Sequence, residues 1–216
     1  MAKKHEEVNS LFNLVSMLVN VVGVSAKRHE ILHEKRALTV IEAFGKGELL
    51  SGQRLNLEIT LKRPVDTRWS SHYGTLMSII SMFPSVVDVL EIIEVEGNSE
   101  QKFHAKTLLK LMQSFDFVFC LFLMKNILGY ANELSRALQM KNQDILNAIK
   151  LVEVYRHNLQ KLRDSGCDSL FGQVSTFCTK HDIDVLDMGD LFLIPGRSRR
   201  KAREITNKTR VCSSIW

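Results

Sequence analysis

Residues 117–124 read FVFCLFLM, the longest uninterrupted apolar run in the chain, and they decide the fold class. Asp116 and Lys125 bound this run, so it is much shorter than the roughly 20 apolar residues that a membrane-spanning helix needs. The wider stretch from Phe103 to Leu128 is apolar almost all round, which is typical of a helix with neighbours on several sides. We therefore predict a central buried helix here, in a soluble intracellular protein with no membrane partner.

Outward from this stretch, apolar residues recur every three or four positions, which predicts further helices. The predicted helices cover 6–22, 26–44, about 70–94, 100–139, 143–163 and 169–180. Three prolines and eleven glycines are few for a loop-rich β protein, so the predicted fold class is all-α. The alternating residues 55–61 can form a short strand in a loop over 45–66, and residues 181–194 are predicted to be extended.

Several details of these helices are also predicted from single residues. Ser25 is expected to cap the second helix, which has sparser apolar positions and should be more exposed than the first. Ser70 or Ser71 is expected to cap the third, and Pro84 to kink or split it. The stretch 100–139 is one helix, or two joined near Gly129. In the helix over 143–163, the predicted apolar stripe is Ile145, Leu146, Ile149, Val152, Leu159 and Leu162.

Positive charge is concentrated in the carboxy-terminal tail. The net charge is +5, but seven basic residues and one acid lie after Gly196, so the first 196 residues carry −1. This balance does not support a DNA-binding surface along the whole chain. The densest basic stretch has five cations, Arg197, Arg199, Arg200, Lys201 and Arg203. It can be a nuclear-import signal, an arm that contacts phosphates, or a solvated tail.

Metal chemistry has few candidates in the sequence. The four cysteines, Cys120, Cys167, Cys178 and Cys212, are widely spaced without a C-x-x-C, so they predict neither a zinc site nor an oxidising compartment. Cys120 is predicted to be a small core residue. Acidic pairs in residues 182–190 can bind a cation, but a solvated acidic loop is the simpler interpretation.

One catalytic motif does occur, an H-E-x-x-H formed by His29, Glu30 and His33. On a helix the two histidines share a face and can bind zinc, with Glu30 as the general base. No H-x-x-G-x-x-H supplies a third ligand, and the neighbouring Lys27, Arg28, Lys35 and Arg36 disfavour a dication. A solvated helix face is therefore favoured over a zinc metalloenzyme.

Residues 66–69 read Asp-Thr-Arg-Trp and join a loop to a predicted helix. Trp69 can hold the loop down as a hydrophobic staple. Alternatively, it can stack on a nucleic-acid base while Arg68 contacts a phosphate. Composition alone does not choose between the two.

Longer blocks of sequence carry a family resemblance. The chain resembles the transposase-derived plant proteins described as zinc finger MYM-type protein 1-like, or TTF-type zinc finger proteins, of the hAT transposase superfamily. The similar blocks, which appear in the same order over roughly residues 2–207, are 2–6, 21–23, 63–64 with 66–73, 85–90, 117–119 with 123–129, and 197–202 with 204–207.

This resemblance implies an architecture and a role. Proteins of the family have a zinc finger, a ribonuclease H-like catalytic domain with a helical insertion, and a dimerisation segment. Their two aspartates and a glutamate hold two metals for strand cleavage, and the Arg-Trp group lies near that active site. We expect this chain to represent the middle of such a protein, without the zinc finger, the catalytic acids or the dimerisation segment. The H-E-x-x-H is not part of the family pattern.

The sequence thus predicts three regions. Residues 1–66 are two helices and a loop that flank the truncated ribonuclease H-like region, 67–180 are the helical insertion domain, and 181–216 are an acidic linker and an extended basic tail. We predict no catalytic residue, metal or cofactor. Nucleic-acid binding is assigned to Arg68, Trp69 and the five cations of the tail.

DNA and a full-length transposase-like relative are the candidate partners, and the predicted location is nuclear, otherwise cytoplasmic. A helical protein–protein interaction module and a non-functional fragment are the alternatives, followed by the zinc metalloenzyme.

Overall fold

The computed structural model describes residues 6–23, 25–45, 69–140, 144–190, 206–209 and 211. These residues form eight long α-helices, and no β-strand occurs within the described ranges, so the all-α prediction is confirmed. Residues 207–209 and 211 are also helical, so the extended tail predicted for 181–216 is wrong at these positions. The strand predicted at 55–61 and nearly all of its surrounding loop lie outside the described residues.

The first two helices, α1 (Glu6–Gly23) and α2 (Ala26–Gly45), agree with prediction to within one residue. Helix α1 buries one face, and the Arg28 guanidinium donates a 2.8 Å hydrogen bond to the carbonyl of Val21 near its end. That bond satisfies one of the carbonyls that a helix end leaves free. The buried face of α1 consists of Leu11, Val15, Leu18, Val19 and Val22.

Helix α2 is more exposed, as predicted. Among its described side chains only Leu32 and Arg36 are buried, whereas Leu38 and Ile41 are more than half exposed. Burial lowers the pKa of Arg36 from its usual value. Ser25 directly precedes the helix, and its carbonyl accepts a 3.0 Å hydrogen bond from the N–H of His29.

A bend of 77° separates α3 (Trp69–Ser81) from α4 (Phe83–Glu96). Pro84 lies in the first turn of α4, where a helix needs no N–H donor, so the predicted break at Pro84 is confirmed. The predicted cap by Ser70 or Ser71 is wrong. Helix α3 begins at Trp69, so both serines already lie within its first turn.

The stretch 100–139 is two helices, α5 (Ser99–Met112) and α6 (Phe115–Leu138). The junction expected near Gly129 is wrong, because that glycine lies inside α6. Ser114 makes the junction instead. Its backbone is extended, and its hydroxyl accepts a 3.3 Å hydrogen bond from the N–H of Phe117, which is the geometry of a helix N-cap.

The last two helices are α7 (Ile145–Ser165) and α8 (Cys167–Lys180). The Asp144 carboxylate caps α7 through a 2.6 Å hydrogen bond from the N–H of Asn147. Gly166 alone joins the two helices. A Cβ atom at this position would lie 2.4 Å from the carbonyl oxygen of Leu162, so the junction requires glycine. After α8, residues 183–187 have no regular secondary structure.

The chain divides into two compact units. The first runs from Phe12 to Met112 and packs α2, α3 and α5 on α4; the second takes in the rest of the described chain and packs α7 and α8 on α6. All eight residues of 117–124 are buried, which confirms the predicted central helix. The domain boundaries at 66 and 180 stay predictions, and the division between Met112 and Gln113 falls inside the predicted insertion domain.

Helix α6 is also long and apolar enough to cross a membrane, with 44% of its most apolar window buried inside the protein. The bent pairs α1–α2 and α3–α4 pass the same test of length and composition when each is taken as one span. The expectation of no membrane partner therefore stays a prediction.

Candidate nucleic-acid interface

The two residues predicted to contact a base and a phosphate lie at the start of α3. Trp69 is its first residue; Arg68 and the side chain of Trp69 lie outside the described structure. The first N–H groups of a helix have no partner within it, and the helix dipole is positive at this end. The backbone at this point is therefore suited to a phosphate.

His72 lies one helical turn after Trp69, on the same side of α3. Its ring meets that of Phe12 edge to face, with centroids 5.1 Å apart. The Nδ1 atom of His72 is buried and has no hydrogen-bond partner within the described chain. Sequence reasoning gave His72 no role, although its spacing of three from Trp69 was a usable signal. A buried polar atom without a partner is rare in proteins, and here it marks the start of α3 as unusual.

The five predicted cations of the tail, Arg197, Arg199, Arg200, Lys201 and Arg203, lie outside the described residues. The chain just beyond them is described and is anchored. Asn207 is buried, and its backbone and side-chain N–H groups donate to the carbonyls of Asp190 (2.9 Å) and Asp187 (2.7 Å). Lys208 pairs with Asp168 at 2.6 Å. The segment that follows the basic stretch is therefore bound to the acidic loop and to α8.

The acidic loop uses some of its own polar groups. The Asp187 carboxylate accepts a 2.8 Å hydrogen bond from the N–H of Gly189 and so closes a turn. Asp182 has a positive φ of 52°, which is uncommon outside glycine. Asp187 and Asp190, two of the aspartates considered as cation ligands, therefore have structural roles. The carbonyls of both accept hydrogen bonds from Asn207, and the Asp187 carboxylate also closes a turn.

The H-E-x-x-H histidines lie together on α2, as the spacing predicts. The rings of His29 and His33 are half-buried with centroids 4.6 Å apart, and Glu30 is exposed. In the described residues, no group of three or more His, Cys, Asp or Glu is placed to hold a metal ion. Two histidines alone are one ligand fewer than catalytic zinc sites usually take from the protein.

Two of the three described cysteines, Cys120 and Cys178, are core residues. Cys120 is buried, as predicted, and Cys178 is buried in α8. Burial raises the pKa of the Cys178 thiol to about 11, which keeps it protonated and unreactive at neutral pH. Cys167 is partly exposed, and Cys212 lies outside the described residues.

Helix α7 differs from prediction in the face that it buries. None of its side chains is buried, and Ile145, Leu146 and Ile149 are 79%, 70% and 52% exposed. The half-buried side includes Leu151, Tyr155, Leu159 and Leu162. The predicted stripe was wrong in its amino-terminal half, since the apolar residues of α7 cover more than one face and only one face packs.

No protein-family model matches the chain, and no solved structure matches it significantly.

Proposed function

We propose that this protein is a transposase-derived helical protein that acts by binding nucleic acid and not by catalysis. The proposal starts from the sequence resemblance to hAT transposase-derived proteins. The observation that carries it is the position of Trp69 as the first residue of α3. A helix start offers N–H donors to a phosphate, an indole can stack on a base, and Arg68 adds a cation beside both.

In this proposal the all-α fold corresponds to the helical insertion domain of a ribonuclease H-like transposase. The ligand is DNA, a full-length transposase-like relative is a second partner, and the protein works in the nucleus. Residues with an expected role in binding are Arg68, Trp69, Arg197, Arg199, Arg200, Lys201 and Arg203.

The tail contributes through charge. Five cations within seven residues can neutralise several phosphates, which makes affinity depend steeply on salt. Asn207 and Lys208 are anchored directly after this stretch. A test should therefore neutralise the cations and leave the anchor in place, because a truncation would remove both.

The test is fluorescence anisotropy with a labelled DNA hairpin at several salt concentrations. Replacing the five tail cations by glutamine should flatten the slope of log affinity against log salt by about 3.5 to 4.5 units, at roughly 0.7 to 0.9 for each phosphate that is no longer neutralised. Trp69→Ala should weaken binding by about 1–3 kcal/mol if the indole stacks on a base. Phe103→Ala is the matched control, since Phe103 is an aromatic residue, 68% exposed, at a different place in the fold. Absence of binding at low salt, or equal losses for Trp69→Ala and Phe103→Ala, would contradict the proposal.

A second candidate function, protein–protein interaction, is favoured by one specific observation. The amino-terminal half of α7 exposes Ile145, Leu146 and Ile149 side by side, and such clusters are typical of binding surfaces. Sedimentation velocity of the wild type and of Ile149→Glu tests it. Val95→Glu is the control, because Val95 is 74% exposed on α4. Assembly that only Ile149→Glu disrupts, in a chain that binds no DNA, would favour this second function.

A further inference from the structure

Two adjoining clefts lie along α8 in the second unit. One, of about 410 Å³, is a half-open cleft lined by α6, α7 and α8, and the other, of about 480 Å³, is a shallower and largely open cleft lined by α6 and α8. Ser169 and Gln173 line both clefts, so the two form one continuous groove, here named the α8 groove. Each cleft is within the size range of small-ligand sites in proteins.

One end of the α8 groove is polar and carries positive charge. Asn126 and Tyr130 of α6 and Asn158 and Lys161 of α7 line it. Within the described chain, no carboxylate lines this end, and these four side chains make no hydrogen bond to the protein. All but Lys161 are half-buried. Amide, phenol and ammonium groups thus converge with their hydrogen-bonding capacity free.

The amino end of α8 lies at this same end of the groove. Gly166 precedes the helix and provides no side-chain cap. The Ser169 hydroxyl lies beside this end of the groove, whereas the Ser165 hydroxyl already donates a 3.1 Å hydrogen bond to the carbonyl of Lys161. The Ser169 hydroxyl and the Lys161 ammonium together suit a phosphate group.

The other end of the groove is apolar and aromatic. Phe122 and Phe177 line it, with ring centroids 5.1 Å apart in an edge-to-face arrangement. Lys180 lines its rim, and the Lys125 ammonium lies 5.2 Å from the Phe122 ring centroid. A ligand that fills both ends must therefore combine a flat apolar group with an anionic group and hydrogen-bonding atoms.

We propose that the α8 groove binds a nucleotide, with the base at Phe122 and Phe177 and the phosphate at Lys161. Asn126 and Asn158 offer amide groups that can pair with the polar edges of the base or the sugar hydroxyls. This inference rests on the proposed nucleic-acid binding and deepens it by assigning a site on described residues, separate from Trp69. The nucleotide can be a free mononucleotide or one unit of a single strand, since both present the same chemistry.

Binding is measured by calorimetry with adenosine monophosphate and by anisotropy with a short labelled single-stranded DNA, and inorganic phosphate serves as a competitor. Lys161→Ala and Phe177→Leu should each weaken binding about tenfold, the size of loss typical of one stacked base or one charged contact. Lys150→Ala is the matched control, since Lys150 lies on the same helix as Lys161 but outside the groove. Circular dichroism checks that every variant is folded, and Asn158→Leu replaces Phe177→Leu if that variant unfolds.

Each result has a defined meaning. The proposal is supported if both groove variants lose ligand binding and Lys150→Ala retains it. The ligand that binds more tightly shows whether the groove takes a free mononucleotide or a unit of a single strand. Failure of the folded wild type to bind either ligand overturns it. Displacement by inorganic phosphate at the same concentration as adenosine monophosphate also overturns it, since the groove is then an anion site only. If DNA binding requires Trp69 and the tail but neither Lys161 nor Phe177, the proposed nucleotide site in the α8 groove is overturned. The proposed function is then still supported.

Discussion

Gly166 shows how one residue sets the geometry around the α8 groove. It is the only residue between α7 and α8, and a Cβ atom there would lie 2.4 Å from the carbonyl oxygen and 2.7 Å from Cδ1 of Leu162. Gly166→Ala must therefore shift backbone, which costs about 1–3 kcal/mol of unfolding free energy by comparison with other overpacked sites. Urea unfolding followed by circular dichroism measures this change.

Gly172 is the matched control for this substitution. It lies inside α8, and a Cβ atom there would meet nothing within 4 Å. Gly172→Ala should stabilise the protein by up to about 1 kcal/mol, because alanine favours the helix over glycine. Equal effects of the two substitutions would show that space at Gly166 is not limiting.

His181 introduces a pH dependence of stability. The His181 ring is half-buried, with its centroid 4.4 Å from that of the Phe177 ring. This burial lowers the pKa of His181 below its ordinary value of 6.5. The charge of Lys180 lowers the pKa further, and the charge of Asp182 opposes the shift. The unfolded chain therefore takes up the proton more readily than the folded one. The contribution of neutral His181 to the free energy of unfolding is complete above about pH 6.5. It is lost as the pH falls through the lowered pKa of the folded state.

The measurement is urea unfolding at about pH 7.5 and about pH 5.5, above and below the ordinary pKa of 6.5. The free energy of unfolding of the wild type should be lower at the acidic pH, and His181→Gln should reduce the difference. His157→Gln, an exposed position on α7, should leave it unchanged. A pH effect that persists fully in His181→Gln would assign it to other groups.

At the scale of the element, α7 depends on its cap more than the buried helices do. Helices that bury a face gain stability from packing, whereas α7 buries no side chain completely. The Asp144 carboxylate accepts a 2.6 Å hydrogen bond from the N–H of Asn147. Asp144→Ala should cost about 1 kcal/mol and make the amides of the first turn exchange roughly five times faster with deuterium. Asp144→Asn retains an oxygen acceptor, so equal exchange in the two variants would contradict this role.

The elements also show what sequence can predict. Periodicity located α1, α2, α7 and α8 to within about two residues, because each has an apolar face broken by a glycine or a polar turn. The junction at Ser114 was missed for a physical reason. A glycine inside a helix costs only about 1 kcal/mol, so Gly129 does not end α6, whereas the hydroxyl of Ser114 caps the start of α6 by accepting from the N–H of Phe117.

The candidate site was less predictable than the fold. A local sequence pattern indicates Arg68 and Trp69, and Trp69 does begin a helix. The α8 groove combines residues from three helices, from Phe122 to Lys180, and its polar residues have no shared motif in the sequence. The periodicity of apolar residues along the sequence identifies the apolar face of each helix. Which of these faces meet depends on packing between segments that are distant in sequence.

The division of the chain into two compact units predicts that a destabilising substitution affects only the unit that contains it. Leu90 in α4 and Leu121 in α6 have no exposed surface, and they lie in the cores of different units. Leu90→Ala and Leu121→Ala are thus a matched pair, and each should cost about 2–5 kcal/mol. Native-state hydrogen exchange locates that loss residue by residue.

If each unit unfolds by itself, Leu90→Ala should speed exchange within residues 12–112 and leave the buried amides of α6 and α8 unchanged. Leu121→Ala should have the reverse pattern. Faster exchange in both units from either substitution would mean that the chain unfolds as one cooperative body. The distinction matters for binding. If the chain unfolds as one cooperative body, ligand contacts confined to α8 stabilise α4 as well. Repeating the exchange with adenosine monophosphate present would therefore show protection in the second unit alone if the units are independent, and in both if they are not.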